Sequence, residues 1–266
     1  MKNKILLICG VGFLVVMGLV VYNFSALQRV YYEISRKDGI IKLKTDDEQY
    51  TVYEYRHGKL YSKHLEINGQ FNGLAYRYYD NGKVEKKLYI NNKTSYFKEF
   101  GFSPNGGLSY IGGYFKLKKY GSWNFYKDGH LDSYKSFDAD GEPYFTTKYS
   151  KKGNLVNSKG LILSEVFFSV DQQGNVVILK DTIQRKYSGI RDLYLTVAIP
   201  KYTKLYISVD INGTKYTVDK VINNTITIKN VFENKGVYEI FVETHLFDRK
   251  RTIINGVNMK RRIVKV

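Results

Sequence analysis

Turn signals recur at a regular distance through the first part of the chain and separate short runs of alternating hydrophobic and polar residues. Glycine supplies the positive φ that a tight hairpin needs. Such turn glycines recur about every 24 residues, as the units of a repeat do, at Gly58, Gly82, Gly106, Gly129 and Gly153. A second set of turn signals lies between them, near Gly69, Asn92, Gly113 and Gly141. Each period therefore predicts two strands, and the whole region predicts a continuous antiparallel β-meander.

Aromatic residues recur at fixed positions before these glycines. Positions six and four before the turn hold Tyr76 and Tyr78 in one unit, and Trp123 and Phe125 in another. Residues two apart in a strand share a face, so stacked hairpins predict a column of aromatic rings. The candidate binding residues are Tyr76, Tyr78, Trp123, Phe125 and Tyr126. Such a column is either a platform for sugar rings, a peptide or a partner's aromatic residues, or the sheet's own core.

The repeat period ends near Gly160, where longer alternating strands begin. Apolar residues at alternate positions of 193–199 share one face, as in a half-buried strand. About seven such strands, separated by regular turns, predict a β-sandwich, with a continuation of the meander as the alternative. Tyr238, close to the start of a late strand, resembles the tyrosine corner of immunoglobulin-like domains.

The chain begins with an apolar segment. Residues 5–22 carry no charge, and as a helix they would extend about 27 Å, close to the roughly 30 Å of a bilayer's hydrocarbon core. The run is longer than the core of a usual signal peptide, and no clean small-x-small cleavage site follows it. We therefore predict an uncleaved membrane anchor with the C-terminal bulk outside the cytoplasm, at the bacterial inner membrane or cell surface. The basic residues on its two sides are nearly matched, so charge alone leaves the orientation open.

These patterns predict an all-β fold class behind an N-terminal transmembrane helix. The expected domains are a membrane anchor at 1–26, a juxtamembrane connector at 27–49, a repeat domain of β-hairpins at 50–159 and an immunoglobulin-like β-sandwich at 160–266.

Composition and charge narrow the choice of partners. The 266 residues carry a formal net charge of +17, which favours anionic partners such as lipid headgroups, acidic cell-wall polymers or nucleic acid. The alternative is that a genome rich in A and T enriches lysine, asparagine, tyrosine and isoleucine together. Nucleic acid is not expected, because no recognition helix or RNP-like motif accompanies the charge. The single cysteine, Cys9, lies in the apolar segment, so the rest of the chain has no intramolecular disulfide.

The stretches "GLAYRYYDNGK" from Gly73 and "GSWNFYKDGHL" from Gly121 resemble the signature of MORN-like repeats, in the bacterial form called YwqK-type antitoxin repeats. The resemblance covers about residues 50–157. It implies an elongated single-layer β-meander used for protein contacts, with a toxin as the partner to be neutralised, and it implies no catalytic residues. The third unit departs from the pattern with "SPNG", and extra residues precede Gly121.

The sequence contains few candidates for catalysis. It has no G-x-S-x-G, H-E-x-x-H, Walker or dinucleotide-binding motif, and its four histidines lack metal-ligand spacing. Asp46 and Asp47 could supply paired carboxylates for glycoside hydrolysis or bind a cation, but an acidic β-turn explains them equally well.

Taken together, the sequence predicts a non-enzymatic, membrane-anchored envelope protein without a cofactor or metal, which binds another protein or an acidic glycan. The alternatives are an antitoxin or immunity protein, and a carbohydrate-acting enzyme.

Overall fold

A computed structural model of the chain describes residues 37–90, 96–164, 192–216, 224–232, 236–249 and 251–253, with isolated positions before and between them. It also describes the backbone of 167–170, 176–179 and 254–265. Eleven antiparallel strands follow one another in chain order in a single sheet. The predicted all-β fold and β-meander are thereby confirmed.

The strands of this sheet are seven to ten residues long, apart from a six-residue last strand. They are β1 Gly39–Asp46, β2 Gln49–Arg56, β3 Lys59–Ile67, β4 Gln70–Tyr78, β5 Val84–Ile90, β6 Tyr96–Phe102, β7 Leu108–Phe115, β8 Lys118–Lys127, β9 His130–Phe137, β10 Pro143–Tyr149 and β11 Leu155–Gly160.

Most of the predicted turn glycines lie between strands and have a positive φ, namely Gly58, Gly69, Gly82, Gly106, Gly129, Gly141 and Gly153. Gly82, for example, has φ 78° and donates its N–H to the carbonyl of Tyr79 at 2.9 Å, while Tyr79 N–H donates to the carbonyl of Lys83 at 2.8 Å. The same pair of hydrogen bonds recurs around Gly153. A side chain at these positions would strain the backbone, which is why glycine recurs there.

The turn predicted near Gly113 is wrong, because Gly113 lies within β7 and the chain turns at Lys116 and Leu117, which have φ 48° and 65°. The turn predicted near Asn92 lies outside the described residues.

The register of the sheet contradicts the predicted aromatic column. Val52 of β2 lies opposite His64 of β3, and His64 lies opposite Ala75 of β4. Residues that lie in line with each other two strands apart are therefore separated by an odd number of residues in the sequence. The same odd step leads across two strands from Trp123 to Thr146. The turn glycines, in contrast, mostly recur at an even spacing that is one residue longer. Between the units that end at Gly58 and Gly82, and between those that end at Gly129 and Gly153, this difference of one residue turns matching side chains to opposite faces, because side chains alternate along a strand.

Between 108 and 160 the two faces of the sheet can be named by their residues. The Trp123 face carries Trp123, Phe125, Lys135 and Thr146, whereas the Tyr134 face carries Asn124, Tyr134 and Thr147. Tyr149 follows Thr147 by two positions and lies on the Tyr134 face as well.

Two four-stranded sheets follow the meander. One has the order β12 Leu163–Ser164, β15 Leu193–Val197, β19 Thr225–Ile228 and β18 Val221–Ile222, and the other has the order β17 Thr214–Tyr216, β16 Lys204–Ile211, β20 Gly236–Phe247 and β21 Ile253–Lys265. A separate hairpin joins β13 Phe167–Val170 to β14 Val176–Leu179.

One apolar core lies between these two sheets. Alternate residues of β15, including Leu193 and Leu195, pack in one cluster with Val209 of β16 and with Ile240 and Val242 of β20. Each of them is at most 3% exposed. The alternation predicted at 193–199 therefore identifies Leu193, Leu195 and Val197 as core residues, although Thr196 and Ala198 on the other face are buried as well. Tyr238 donates its hydroxyl to the carbonyl of Asn234 at 2.7 Å, the kind of short upstream bond that a tyrosine corner makes.

The chain divides into two compact units. The first comprises described residues up to 94 together with 101–107, and the second comprises 95–100 and everything from 108 onward. Within the second unit, the Tyr134 face packs against the C-terminal region: Tyr134, Phe145 and Tyr149 share a buried cluster with Ala198 and Leu246. The domain bounds expected from the sequence stay predictions.

Within the part of the chain that the structure describes, no helix has the length and apolar character needed to cross a membrane. The predicted anchor at 5–22 lies outside the described residues.

Candidate functional site

Trp123 is the centre of an aromatic cluster on the Trp123 face, and its ring is only 2% exposed. The ring lies on Gly112, where a Cβ atom would come within 2.2 Å of the indole. Its Nε1 donates to the carbonyl of Gly113 at 3.0 Å. The indole is therefore fixed flat against the backbone of β7.

Four further rings surround Trp123. Tyr110 and Phe125 stack beside it, with ring centroids 5.5 and 6.0 Å away. Tyr114 and Phe137 meet it edge to face, at 5.2 and 5.9 Å. Offset and edge-to-face contacts of this kind add to the energy of apolar burial. Trp123 is therefore the base of the cluster, and the half-buried Phe125 is among the rings that solvent reaches.

Two lysines lie over these rings. The Nζ atom of Lys119 is 4.6 Å from the ring centroid of Trp123 and 5.5 Å from that of Phe137. The Nζ atom of Lys135 is 5.8 Å from the ring of Phe125. An ammonium over an aromatic face is attracted by the negative face of the ring. We call Trp123, Phe125, Phe137, Lys119 and Lys135 the lysine–aromatic face.

A buried carboxylate lies beside this cluster. Glu99 is 4% exposed and accepts a hydrogen bond from the hydroxyl of Tyr110 at 2.5 Å, with the hydroxyl of Tyr114 at 3.5 Å. Burial, together with the negative charge of Glu99, raises the pKa of Tyr114 to about 12. Sequence reasoning missed Glu99. The pattern that could have identified it is "YFKEFGF", in which the alternation of a strand places the acidic Glu99 on the same face as the apolar Phe97.

A row of alternating tyrosines and lysines occurs in the first unit. Tyr53, Lys63, Tyr76 and Lys87 lie opposite one another on β2, β3, β4 and β5. Lys63 Nζ is 5.3 Å from the ring of Tyr53, and Lys87 Nζ is 5.9 Å from the ring of Tyr76. Tyr78 stacks on Tyr76 at 6.4 Å, and partial burial raises the pKa of Tyr78. We call these four facing residues and Tyr78 the tyrosine–lysine row.

The five candidate binding residues do not form one site. Tyr76 and Tyr78 belong to the tyrosine–lysine row of the first unit, and Trp123 and Phe125 belong to the Trp123 face of the second. Tyr126 follows Phe125 and lies on the opposite face, where its hydroxyl accepts a hydrogen bond from Lys201 Nζ at 2.8 Å.

The residues weighed for catalysis have ordinary turn and strand partners. Asp46 Oδ1 accepts from the backbone N–H of Asp47 at 2.8 Å, and Lys44 pairs with Asp47 at 3.0 Å, so the two carboxylates belong to an exposed turn. His130 Nδ1 lies 2.7 Å from the carbonyl of Asp128. Among the described residues, no group of His, Cys, Asp and Glu side chains is arranged to hold a metal ion.

Comparisons with known proteins report only distant structural likeness. No family model and no curated protein matches the chain. The crystal structure of TarM is similar over 53% of this chain and 25% of that chain, at 12% identity and a TM-score of 0.28. A mutant of S. aureus TarM in complex with fondaparinux, alpha-GlcNAc-glycerol and UDP is similar over 50% of this chain and 22% of that one, at 12% identity and a TM-score of 0.27.

The matched part spans about a quarter of those chains or less. TM-scores this low carry no argument about function. The resemblance to MORN-like repeats stays a prediction.

Proposed function

We propose that this chain is a non-enzymatic binding protein of the cell envelope, which offers two separate surfaces to acidic glycans: the tyrosine–lysine row of the first unit and the lysine–aromatic face of the second. The observation that carries the proposal is the recurrence of lysine ammoniums over aromatic rings in both units.

The charge of these lysines is available to a ligand. Among the described residues, no carboxylate forms an ion pair with Lys63, Lys87, Lys119 or Lys135. An ammonium has three donors, and the contact with a ring uses none of them as a full hydrogen bond. Such a lysine keeps its donors for a carboxylate or another acidic group, and the net charge of +17 attracts polyanions over a longer distance.

The rings supply the second half of the recognition. Half-buried Tyr76, Tyr78 and Phe125 offer apolar faces that match the C–H face of a sugar ring. Trp123 stacks beside Phe125 at 6.0 Å and holds that ring in place. A surface that alternates ring faces with cations fits a polymer that alternates apolar ring faces with anions.

The envelope part of the proposal rests on residues 5–22, which we infer to be an uncleaved anchor, with the C-terminal bulk outside the cytoplasm. Protease treatment of intact cells tests it: residues beyond Tyr22 are degraded if the bulk is outside. Full protection in intact cells, with degradation after lysis, contradicts this placement. The immunoglobulin-like relationship of the two C-terminal sheets belongs to the same proposal, and the hydrogen bond from Tyr238 to Asn234 supports it.

Binding is measured with the full chain in detergent, titrated with polygalacturonate and, as a neutral polymer, dextran. Trp123 is the only tryptophan, so its fluorescence reports directly on the lysine–aromatic face. We expect saturable binding of polygalacturonate that weakens as salt is added, because exposed charges are screened.

A variant carrying Lys119→Met and Lys135→Met removes both ammoniums and keeps most of the side-chain volume. We expect about a tenfold loss of affinity, from about 0.7 kcal/mol for each exposed charge contact. The matched control carries Lys127→Met and Lys152→Met at exposed positions beside turns, with the same change in net charge. Equal losses in the two variants, or equal binding of dextran, contradict the proposal.

A further inference from the structure

A small polar cavity opens on the other side of β8 from the lysine–aromatic face. Its volume is about 160 Å³, and its lining includes Tyr96, Tyr120, Ser122, Asn124 and Asn224. Asn124 is opposite Tyr134 in the register, so it belongs to the Tyr134 face. All of these residues lie in the second unit.

One wall of the cavity is already fully hydrogen-bonded. Asn224 Nδ2 donates to the carbonyl of Val197 at 2.8 Å and to the hydroxyl of Tyr134 at 3.1 Å. Asn224 Oδ1 accepts from Ser122 Oγ at 2.8 Å. These bonds hold Asn224 and Ser122 in fixed positions, so this wall is preorganised.

Asn124, two residues after Ser122 on β8, brings an acceptor without a donor to the same cavity. Asn124 Oδ1 is shielded from solvent and has no hydrogen-bond partner among the described residues. A buried polar atom left in this state destabilises the folded protein. A ligand that brings a hydroxyl group removes the penalty, since a hydroxyl donates to the amide oxygen and can also accept from the amide nitrogen.

The remaining surface matches a ring that carries hydroxyls. Tyr120 is 8% exposed and Tyr96 is half-buried, and burial raises the pKa of both. Both residues line the cavity, and their rings supply apolar faces that can pack against the C–H face of a sugar. Lys98 also lines the cavity and is exposed, and its Nζ atom lies 5.3 Å from the ring of Phe100, so a flexible cationic side chain borders the cavity.

The size excludes large ligands. Liquid water occupies about 30 Å³ per molecule, so the cavity holds the equivalent of roughly five waters. That space suits one small polyhydroxylated ring rather than a nucleotide or a peptide.

We propose that this cavity binds a single sugar residue, with Asn124 as the residue that recognises a hydroxyl and Lys98 as the residue that favours an acidic substituent. The sugar is either free or the end of a glycan chain. The site is independent of the proposed lysine–aromatic face, because it lies on the other side of the sheet and uses different residues.

The test is calorimetric titration of the full chain, held in a zwitterionic detergent because glucoside detergents would compete. The probes are D-glucose, D-glucuronate and maltotriose. We expect saturable binding of at least one monosaccharide and tighter binding of glucuronate than of glucose. Binding of maltotriose as strong as that of glucose indicates a chain end as the natural source, and exclusion of maltotriose indicates a free sugar.

The deciding variant is Asn124→Leu, which keeps the branched shape and removes the amide. We expect at least about a tenfold loss of sugar affinity, the effect of one lost hydrogen bond to a buried group. Removing an acceptor that has no donor does not weaken the fold, so the thermal midpoint without ligand is unchanged or higher. The control is Asn157→Leu at an exposed position of β11, which leaves affinity unchanged.

A second variant keeps the proposal testable if Asn124→Leu fails to fold. Lys98→Met alters an exposed residue and is expected to remove the preference for glucuronate over glucose while glucose affinity stays the same. A cavity that holds only water gives no saturable signal with any of the three probes. That result overturns the proposal, as does equal sugar binding by the parent and by Asn124→Leu.

Discussion

The backbone N–H of Ile199 donates a hydrogen bond to the hydroxyl oxygen of Tyr134 at 3.0 Å, across 65 residues of sequence. The same hydroxyl accepts from Asn224 Nδ2 at 3.1 Å and lies 2.8 Å from Ser122 Oγ. Since Ser122 donates to Asn224 Oδ1, Tyr134 is the donor in its bond to Ser122. One buried phenol therefore joins β8 and β9 of the meander to the C-terminal region.

Replacing Tyr134 with phenylalanine tests this junction. Tyr134→Phe removes one oxygen and leaves the Ile199 N–H and the Asn224 Nδ2 without this acceptor, so we expect a loss of about 2 kcal/mol in the free energy of unfolding. Denaturation by guanidinium chloride measures it. Tyr126→Phe is the control, because the hydroxyl of Tyr126 accepts from the exposed Lys201, and its effect should stay within about 0.5 kcal/mol. Equal effects of the two substitutions would show that the junction contributes nothing special.

Adding one methyl group beneath Trp123 tests the base of the lysine–aromatic face. In Gly112→Ala the new Cβ would fall 2.2 Å from the indole, and this overpacking should cost about 1–3 kcal/mol. The emission of the single tryptophan should shift as the ring is displaced. Gly236→Ala is the matched control, because a Cβ there meets no atom within 4 Å. An unchanged emission spectrum and midpoint for Gly112→Ala would contradict the packing described.

The raised pKa of Tyr114 makes the stability of the fold depend on pH in the alkaline range. Burial and the charge of Glu99 raise this pKa from 10.0 to about 12 in the folded protein. Between these values the unfolded chain gives up its proton while the folded one keeps it, so stability is fully present below about pH 10 and falls as pH rises toward about 12. In Tyr114→Phe the decline in the unfolding midpoint over this range should be shallower. A decline as steep as that of the parent protein would show that Tyr114 does not contribute to it.

The tyrosine–lysine row should contribute to glycan binding independently. A double variant with Lys63→Met and Lys87→Met removes two ammoniums held over Tyr53 and Tyr76. Polygalacturonate affinity should fall about tenfold, and its dependence on salt should become weaker, since fewer charges engage the polymer. Lys127→Met with Lys152→Met serves again as the charge-matched control. Unchanged affinity and an unchanged salt slope would remove this row from the proposed binding surface.

Local chemistry explains what the sequence could predict. The turn at Gly82 was predictable because its positive φ is a property of a few neighbouring residues. The burial of Leu193 and Leu195 was predictable because alternation along a strand sets the face. Tyr238 was likewise placed by a short-range hydrogen bond to Asn234.

What the sequence could not predict depends on contacts between distant residues. The aromatic column failed because the register between strands, and not the spacing of turns, decides which side chains meet. Asn224 meets Ser122 across 102 residues, and no local pattern marks that contact. Glu99 was visible only as an acidic residue at an apolar position, and its two tyrosine partners lie on another strand.

The tyrosine–lysine row also fixes a spacing within the first unit. Tyr53 and Tyr76 are two strands apart, and so are Lys63 and Lys87. With neighbouring strands about 4.8 Å apart, each pair is separated by about 10 Å. A polymer that contacts both members of a pair must reach at least that far, so a single sugar unit would be held at one point only.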